Sequence, residues 1–181
     1  MRNIKTQPVL FAITLFFIFG FNTAKAQFAG GDGTASNPWQ IATISQLNSV
    51  RDYMDDNFEL IADLDFTGSL YDSITNYNGW EPIGTSSSAF TGNFNGKGHT
   101  ISGLYINRPN TIEYVGLFSY LKNNAKIDSL ILENCNITGN KYVGGLTGVL
   151  VNSTISNCSV TGKVKGEDRY LGGLLVSVLP T

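Results

Sequence analysis

The chain has 181 residues, with 12 Lys and Arg against 14 Asp and Glu. Beyond Ala26, nine basic side chains face the same 14 acidic ones, a net charge of −5, which excludes nucleic acid and anionic membranes as electrostatic partners. A single His, His99, excludes a zinc-protease centre, which takes two His one helical turn apart plus a general base.

Arg2 and Lys5 lead into the apolar run Val9 to Phe21, followed by Ala24-Lys-Ala26 and Gln27. A basic start, a short apolar core and small residues before the junction predict a secretory signal peptide over 1–26. The run is shorter than the roughly 20 residues that span a bilayer; an uncleaved anchor is the other reading. No Cys follows the junction for a lipid anchor. The expectation is an exported protein, at the cell surface or released, with no transmembrane segment after cleavage.

Residues 27–42 read as an extended lead-in. Gly30-Gly-Asp-Gly-Thr-Ala-Ser-Asn-Pro38 lacks the Gly-Lys-Ser/Thr ending of a phosphate loop. Residues 43–55 read as a capping helix. Thr43-Ile-Ser-Gln46 is a capping-box pattern, and Leu47, Val50, Tyr53 and Met54 follow at helical spacing, so the helix is expected from about Ser45 to Met54. Its apolar face would cover the open first coil of a repeat array. Phe58 to Phe66 predicts the first strand, with Asp63 and Asp65 alternating against Leu64 and Phe66. Thr67 to Asn78 is polar, bears Tyr71 and Tyr77, and predicts a loop leaving the coil.

Residues 58–181 carry β repeats. Tyr114-Val-Gly-Leu117 returns as Tyr142-Val-Gly-Gly-Leu146 and as Tyr170-Leu-Gly-Gly-Leu174, at one constant interval. Ile101-x-x-Leu104-x-Ile106 returns as Ile127-x-x-Leu130-x-Leu132 and, at nearly the same interval, as Ile155-x-x-Cys158-x-Val160. A period of about 28 residues, alternating apolar positions and Gly, Asn, Ser and Thr turns predict an all-β solenoid, a parallel β-helix. Matching phrases should lie about 4.8 Å apart in parallel register. Leu104, Leu130 and Cys158 would then form one inward column, Ile106, Leu132 and Val160 another, and Tyr114, Tyr142 and Tyr170 a stacked ladder. Cys135 and Cys158 stack as a disulfide under one alignment and are separate buried hydrophobes under the other. Leu174 to Leu179 ends the sequence without a cap. The chain continues, self-associates through this open coil, or folds Leu174–Leu179 over as a cap.

Gly145-Leu-Thr-Gly148, the Ala42–Leu47 segment, Leu60-Ile-Ala-Asp-Leu-Asp65, Gly79-Trp-Glu-Pro-Ile-Gly84 and Phe94-Asn-Gly-Lys-Gly-His-Thr-Ile-Ser102 together resemble the GLUG-motif family of bacterial secreted proteins. The resemblance implies a right-handed parallel β-helix at or beyond the cell surface. It implies kinship with adhesin-like proteins and with the non-catalytic N-terminal region of immunoglobulin A proteases.

Chemistry is sparse. Asp63 and Asp65 are spaced to share one strand face, where paired carboxylates bind Ca²⁺, work on a glycosidic bond, or keep the face wet. Tyr71, Tyr77 and Trp80 are candidate ligand contacts, since exposed aromatic faces stack on sugars. Asp72-Ser-Ile74 and Asp128-Ser-Leu130 resemble an Asp-Ser/Thr-apolar acceptor triplet of bacterial O-glycosylation. The expected role is non-enzymatic: adhesion or binding of a host protein, glycan or sister subunit, with no cofactor required. A polysaccharide-active enzyme and a spacer within a larger surface protein are the alternatives.

Overall fold

The computed structural model describes residues 27–110, 113–167, 171–172 and 175–179. The signal peptide expected over 1–26 and the third ladder residue, Tyr170, lie outside them. Among the described residues the protein is all-β apart from one short helix, and every pairing between its strands is parallel. The first sheet stacks Trp39–Ile41, Asn57–Leu60, Asn93–Asn95, Lys126–Asp128 and Thr154–Ser156. The second stacks Leu64–Asp65, Thr100–Ser102, Ile131–Gly139 and Ser159–Gly166, with Tyr105–Arg108 also beside Ile131–Gly139. Tyr114–Val115, Tyr142–Gly144 and Leu171–Gly172 form the third. Phe118–Leu121, Thr147–Val151 and Leu175–Leu179 form the fourth. Leu175–Leu179 therefore continues a sheet and does not fold over as a cap.

Register sets the core. Phe58, Phe94, Ile127 and Ile155 are partners along the first sheet, and Leu64, Ile101, Leu132 and Val160 along the second. Val115 pairs Val143, and Leu121 pairs Leu150. These inward residues join one buried cluster fed by all four sheets. Each large apolar side chain so buried stabilises the fold by roughly 2 kcal/mol relative to exposure.

One expected column breaks at its first member, while Leu132 keeps Val160 as its partner. Ile106 lies opposite Ile137, not Leu132, and Leu132 lies opposite Ile101. The reason is local: one corner pattern serves two different corners. An apolar residue, a polar one, a residue at positive φ and another apolar residue occur at Ile101–Leu104 through Gly103 (φ 67°) and at Leu132–Cys135 through Asn134 (φ 53°). The same order occurs at Ile127–Leu130 through Ser129 (φ 52°) and at Ile155–Cys158 through Asn157 (φ 53°). The copies at 101 and 127 are thus different corners. The interval from Ile127 to Ile155 equals that from Tyr114 to Tyr142, but the intervals from Phe58 to Phe94 and from Phe94 to Ile127 are both longer. Cys135 faces Gly162, beyond a register shift, so it does not stack on Cys158; both thiols are free.

Phe58 to Phe66 is two strands, Asn57–Leu60 and Leu64–Asp65, turned by Ile61 to Asp63. The helix is Ile44–Ser49, continued by the tighter turn Val50–Asp52. Thr43 Oγ1 accepts from the Gln46 amide at 3.2 Å, and Gln46 Oε1 accepts from the Ala42 amide at 2.8 Å, so the capping pattern closes in both directions. Leu47 and Val50 are fully buried. Phe28 stacks on Trp39 at 4.9 Å and meets Tyr53 at 5.7 Å and Phe58 at 5.8 Å, packing this segment onto the first sheet.

Candidate functional site

The five residues marked from sequence do not form one site. Trp80 is fully buried, which corrects its reading as a ligand contact. Its ring meets Phe66 at 5.5 Å and Tyr71 at 5.1 Å, both edge-on, and the Arg51 guanidinium lies 4.7 Å from its centroid. Its Nε1 donates to the Leu117 carbonyl at 3.3 Å. Arg51 donates in turn to the carbonyls of Glu81 and Pro82, holding the helix against this turn. Burial lowers the Arg51 pKa, its largest influence. Tyr71 is half-buried on Trp80, whereas Tyr77 is exposed.

Asp63 and Asp65 serve neighbouring strands separately. Asp63 Oδ1 accepts from the Thr100 amide at 2.9 Å and lies 3.0 Å from His99 Nδ1. Asp65 Oδ1 accepts from the Thr67 amide at 2.9 Å, from Thr67 Oγ1 at 2.8 Å and from Ser102 Oγ at 3.3 Å. These bonds, the backbone amides first, hold both carboxyls below the usual Asp range. Among the described residues no group of three or more His, Cys, Asp or Glu is placed to hold a metal ion.

The structure instead gathers a site around Tyr114. Parallel pairing of Tyr114 with Tyr142 puts their rings 5.0 Å apart at 23°, a stacked pair. Tyr120, from the fourth sheet, meets Tyr114 edge-on at 5.4 Å. Beside Tyr114 opens a cavity of about 260 Å³, bordered by Glu81, Thr85, Ser86, Glu113 and Ser119. Lys141 Nζ holds Glu113 Oε1 at 2.6 Å. Burial, then the nearby Glu113 charge, raises the Tyr114 hydroxyl pKa, so it remains a neutral donor at physiological pH. The arrangement brings the Tyr114 side chain, the hydroxyls of Thr85, Ser86 and Ser119 and the carboxylates of Glu81 and Glu113 to one open trough, groups able to meet a sugar's apolar surface and hydroxyl rim.

Sequence reasoning treated the tyrosines as a ladder and missed the trough beside them. One signal was present: Glu113 and Lys141 precede equivalent tyrosines with opposite charge. Glu81, Thr85 and Ser86 left no such mark.

The parallel sheets and the recurring tyrosine rung define an all-β repeat protein. Residues 139–165, which carry the Tyr142 rung, match the model of the GLUG motif. The chain therefore carries a GLUG motif. It is 35% identical over 152 residues to halomucin of Haloquadratum walsbyi, covering 82% of this chain and 2% of that protein. It is 36% identical over 148 residues to a candidate Gly-rich membrane protein of Evansella cellulosilytica, covering 76% of this chain and 17% of that one. The chain thus spans a small part of both relatives. A crystal structure from Bacteroides ovatus, described as a candidate immunoglobulin A1 protease, aligns with a TM-score of 0.44 at 18% identity, covering 84% of this chain and 65% of that one. Among the described residues no helix is long and apolar enough to cross a membrane.

Proposed function

We propose that this chain is an exported, cell-surface module, wound as a right-handed parallel β-helix, that binds glycan at the Tyr114 trough without transforming it. The trough itself carries the reading: Tyr114, stacked on Tyr142 and edge-on to Tyr120, lines it together with Glu81, Glu113 and the hydroxyl side chains of Thr85, Ser86 and Ser119. Two relatives, one named halomucin and one a Gly-rich membrane protein, support placement at the surface. The acidic balance of the chain favours neutral or amine-bearing sugars over acidic polysaccharides. Binding needs no cofactor.

The test is a titration of the folded domain with neutral, amine-bearing and acidic oligosaccharides, with the sugars recovered afterwards. Neutral or amine-bearing sugars should bind and return intact. Tyr114→Ala should weaken binding about fivefold to tenfold, because an aromatic contact contributes about 1 kcal/mol. Absence of binding by any sugar, or an unchanged affinity in Tyr114→Ala, overturns the proposal. Cleaved products that disappear in His99→Ala would favour the enzymatic alternative, since His99 already pairs with Asp63.

A further inference from the structure

The two Asp-Ser-apolar triplets have the same chemistry in sequence and opposite settings in the fold. Around Ser129 the triplet is closed: Ser129 sits at φ 52°, its Oγ donates to Asp128 Oδ2 at 2.9 Å, and Leu130 is fully buried. Around Ser73 it is open. Ser73 is exposed, and its hydroxyl has no hydrogen-bond partner among the described residues. Ile74 is 86% exposed.

The loop holds this presentation firmly. Asp72 Oδ1 accepts from the Ile74 amide at 3.0 Å, the Thr75 amide at 2.8 Å and Thr75 Oγ1 at 2.8 Å. Thr75 Oγ1 also reaches the Ser69 carbonyl, and the Asn76 amide donates to the Asp72 carbonyl at 2.9 Å. Ser73 and Ile74 therefore stand at the outside of a turn tied from within. A second observation points outward as well: the exposed large hydrophobics of the described residues include Leu70, Ile74 and Tyr77, all on this loop. A groove of about 220 Å³, bordered by Ser73, Ile74, Tyr105 and Asn136, lies beside the triplet.

We infer that Ser73 is a glycan-attachment site, read by a glycosyltransferase through the presented triplet and its apolar flank. The donor is a sugar joined at its anomeric carbon to a phosphate leaving group, carried on a lipid or a nucleotide. Ser73 Oγ forms a bond to that carbon as the carbon–oxygen bond to phosphate breaks. The phosphate leaves with the electron pair, the Ser73 proton passes to a base of the transferase, and nothing is oxidised or reduced. This site is separate from the Tyr114 trough, and its modification does not require glycan binding there.

Peptide mapping of the protein from its source cells tests this. Trypsin cleavage after Arg51 and Lys97 isolates residues 52–97, and cleavage after Lys126 and Lys141 isolates 127–141, so the two triplets fall on different peptides. The expected result is a sugar mass on 52–97, localised to Ser73 by electron-transfer fragmentation, and an unmodified 127–141. Ser73→Ala should remove the added mass. Ile74→Asp should remove it too, with Ser73 present and, given the exposure of Ile74, with an unchanged melting temperature. An unmodified 52–97 peptide from source cells, or a sugar retained in Ser73→Ala, overturns the inference.

Discussion

Three donors converge on Asp128: Ser156 Oγ at 2.7 Å, Asn157 Nδ2 at 2.9 Å and Ser129 Oγ at 2.9 Å. The Ser156 bond, from the neighbouring strand, is the leading cause that lowers the Asp128 pKa; the Thr100 amide does the same for Asp63, and local turn bonds lower Asp32, Asp65 and Asp72. A depressed folded-state pKa stabilises above the unfolded value of about 3.9 and is lost as pH falls through the folded one. Melting temperature should therefore hold level from neutral pH to about 4 and fall below it. Asp128→Asn keeps an acceptor without a titrating charge, so its acid decline should be shallower. A decline identical to wild type would remove Asp128 from the account. Trp80 marks the limit of sequence at this scale. Nothing in its neighbours Gly79, Glu81 and Pro82 marks the ring as buried, but Arg51, remote in sequence, and Tyr71, on the preceding loop, cover it.

The strands read well from sequence where the chain repeats at a constant interval, and poorly where it does not. Tyr114 over Tyr142 was legible because period and register coincide. The Ile101 phrase was misplaced because Gly103, Asn134, Ser129 and Asn157 give different corners one spelling. Those corners share a backbone need. A side chain at positive φ costs roughly 1–2 kcal/mol unless it is Gly or, more mildly, Asn. Asn134→Ala should therefore destabilise by about 1 kcal/mol and Asn134→Gly by no more than a few tenths, measured by urea unfolding. Equal losses would show that the Asn side chain, not its backbone conformation, matters. The Tyr114 trough was illegible for another reason: Glu81 and Thr85 come from a segment outside the regular period and reach Tyr114 only through tertiary packing.

At the scale of the whole molecule, the described strands form their ladders with counterparts before and after, so cohesion passes along the stack from rung to rung. Phe94 sits in the middle of that path, fully buried, between Phe58 and Ile127 and 5.5 Å from Phe118. Phe94→Ala should cost about 3–5 kcal/mol and separate melting into two steps, seen by calorimetry and by hydrogen exchange that loosens one side first. A single, merely lowered transition would mean the stack is coupled beyond neighbouring rungs.

The register between Ile127 and Ile155 has a consequence for how such a chain changes length over time. A duplication of one regular unit adds a rung whose strands meet the same partners that the old ones met. The molecule lengthens by one strand spacing, about 4.8 Å, without disturbing any pairing already made. The longer intervals between Phe58, Phe94 and Ile127 lack that freedom, because their extra chain forms individual loops such as the one bearing Ser73. The regular stretch can thus take a further copy without loss of register, while the irregular stretch cannot.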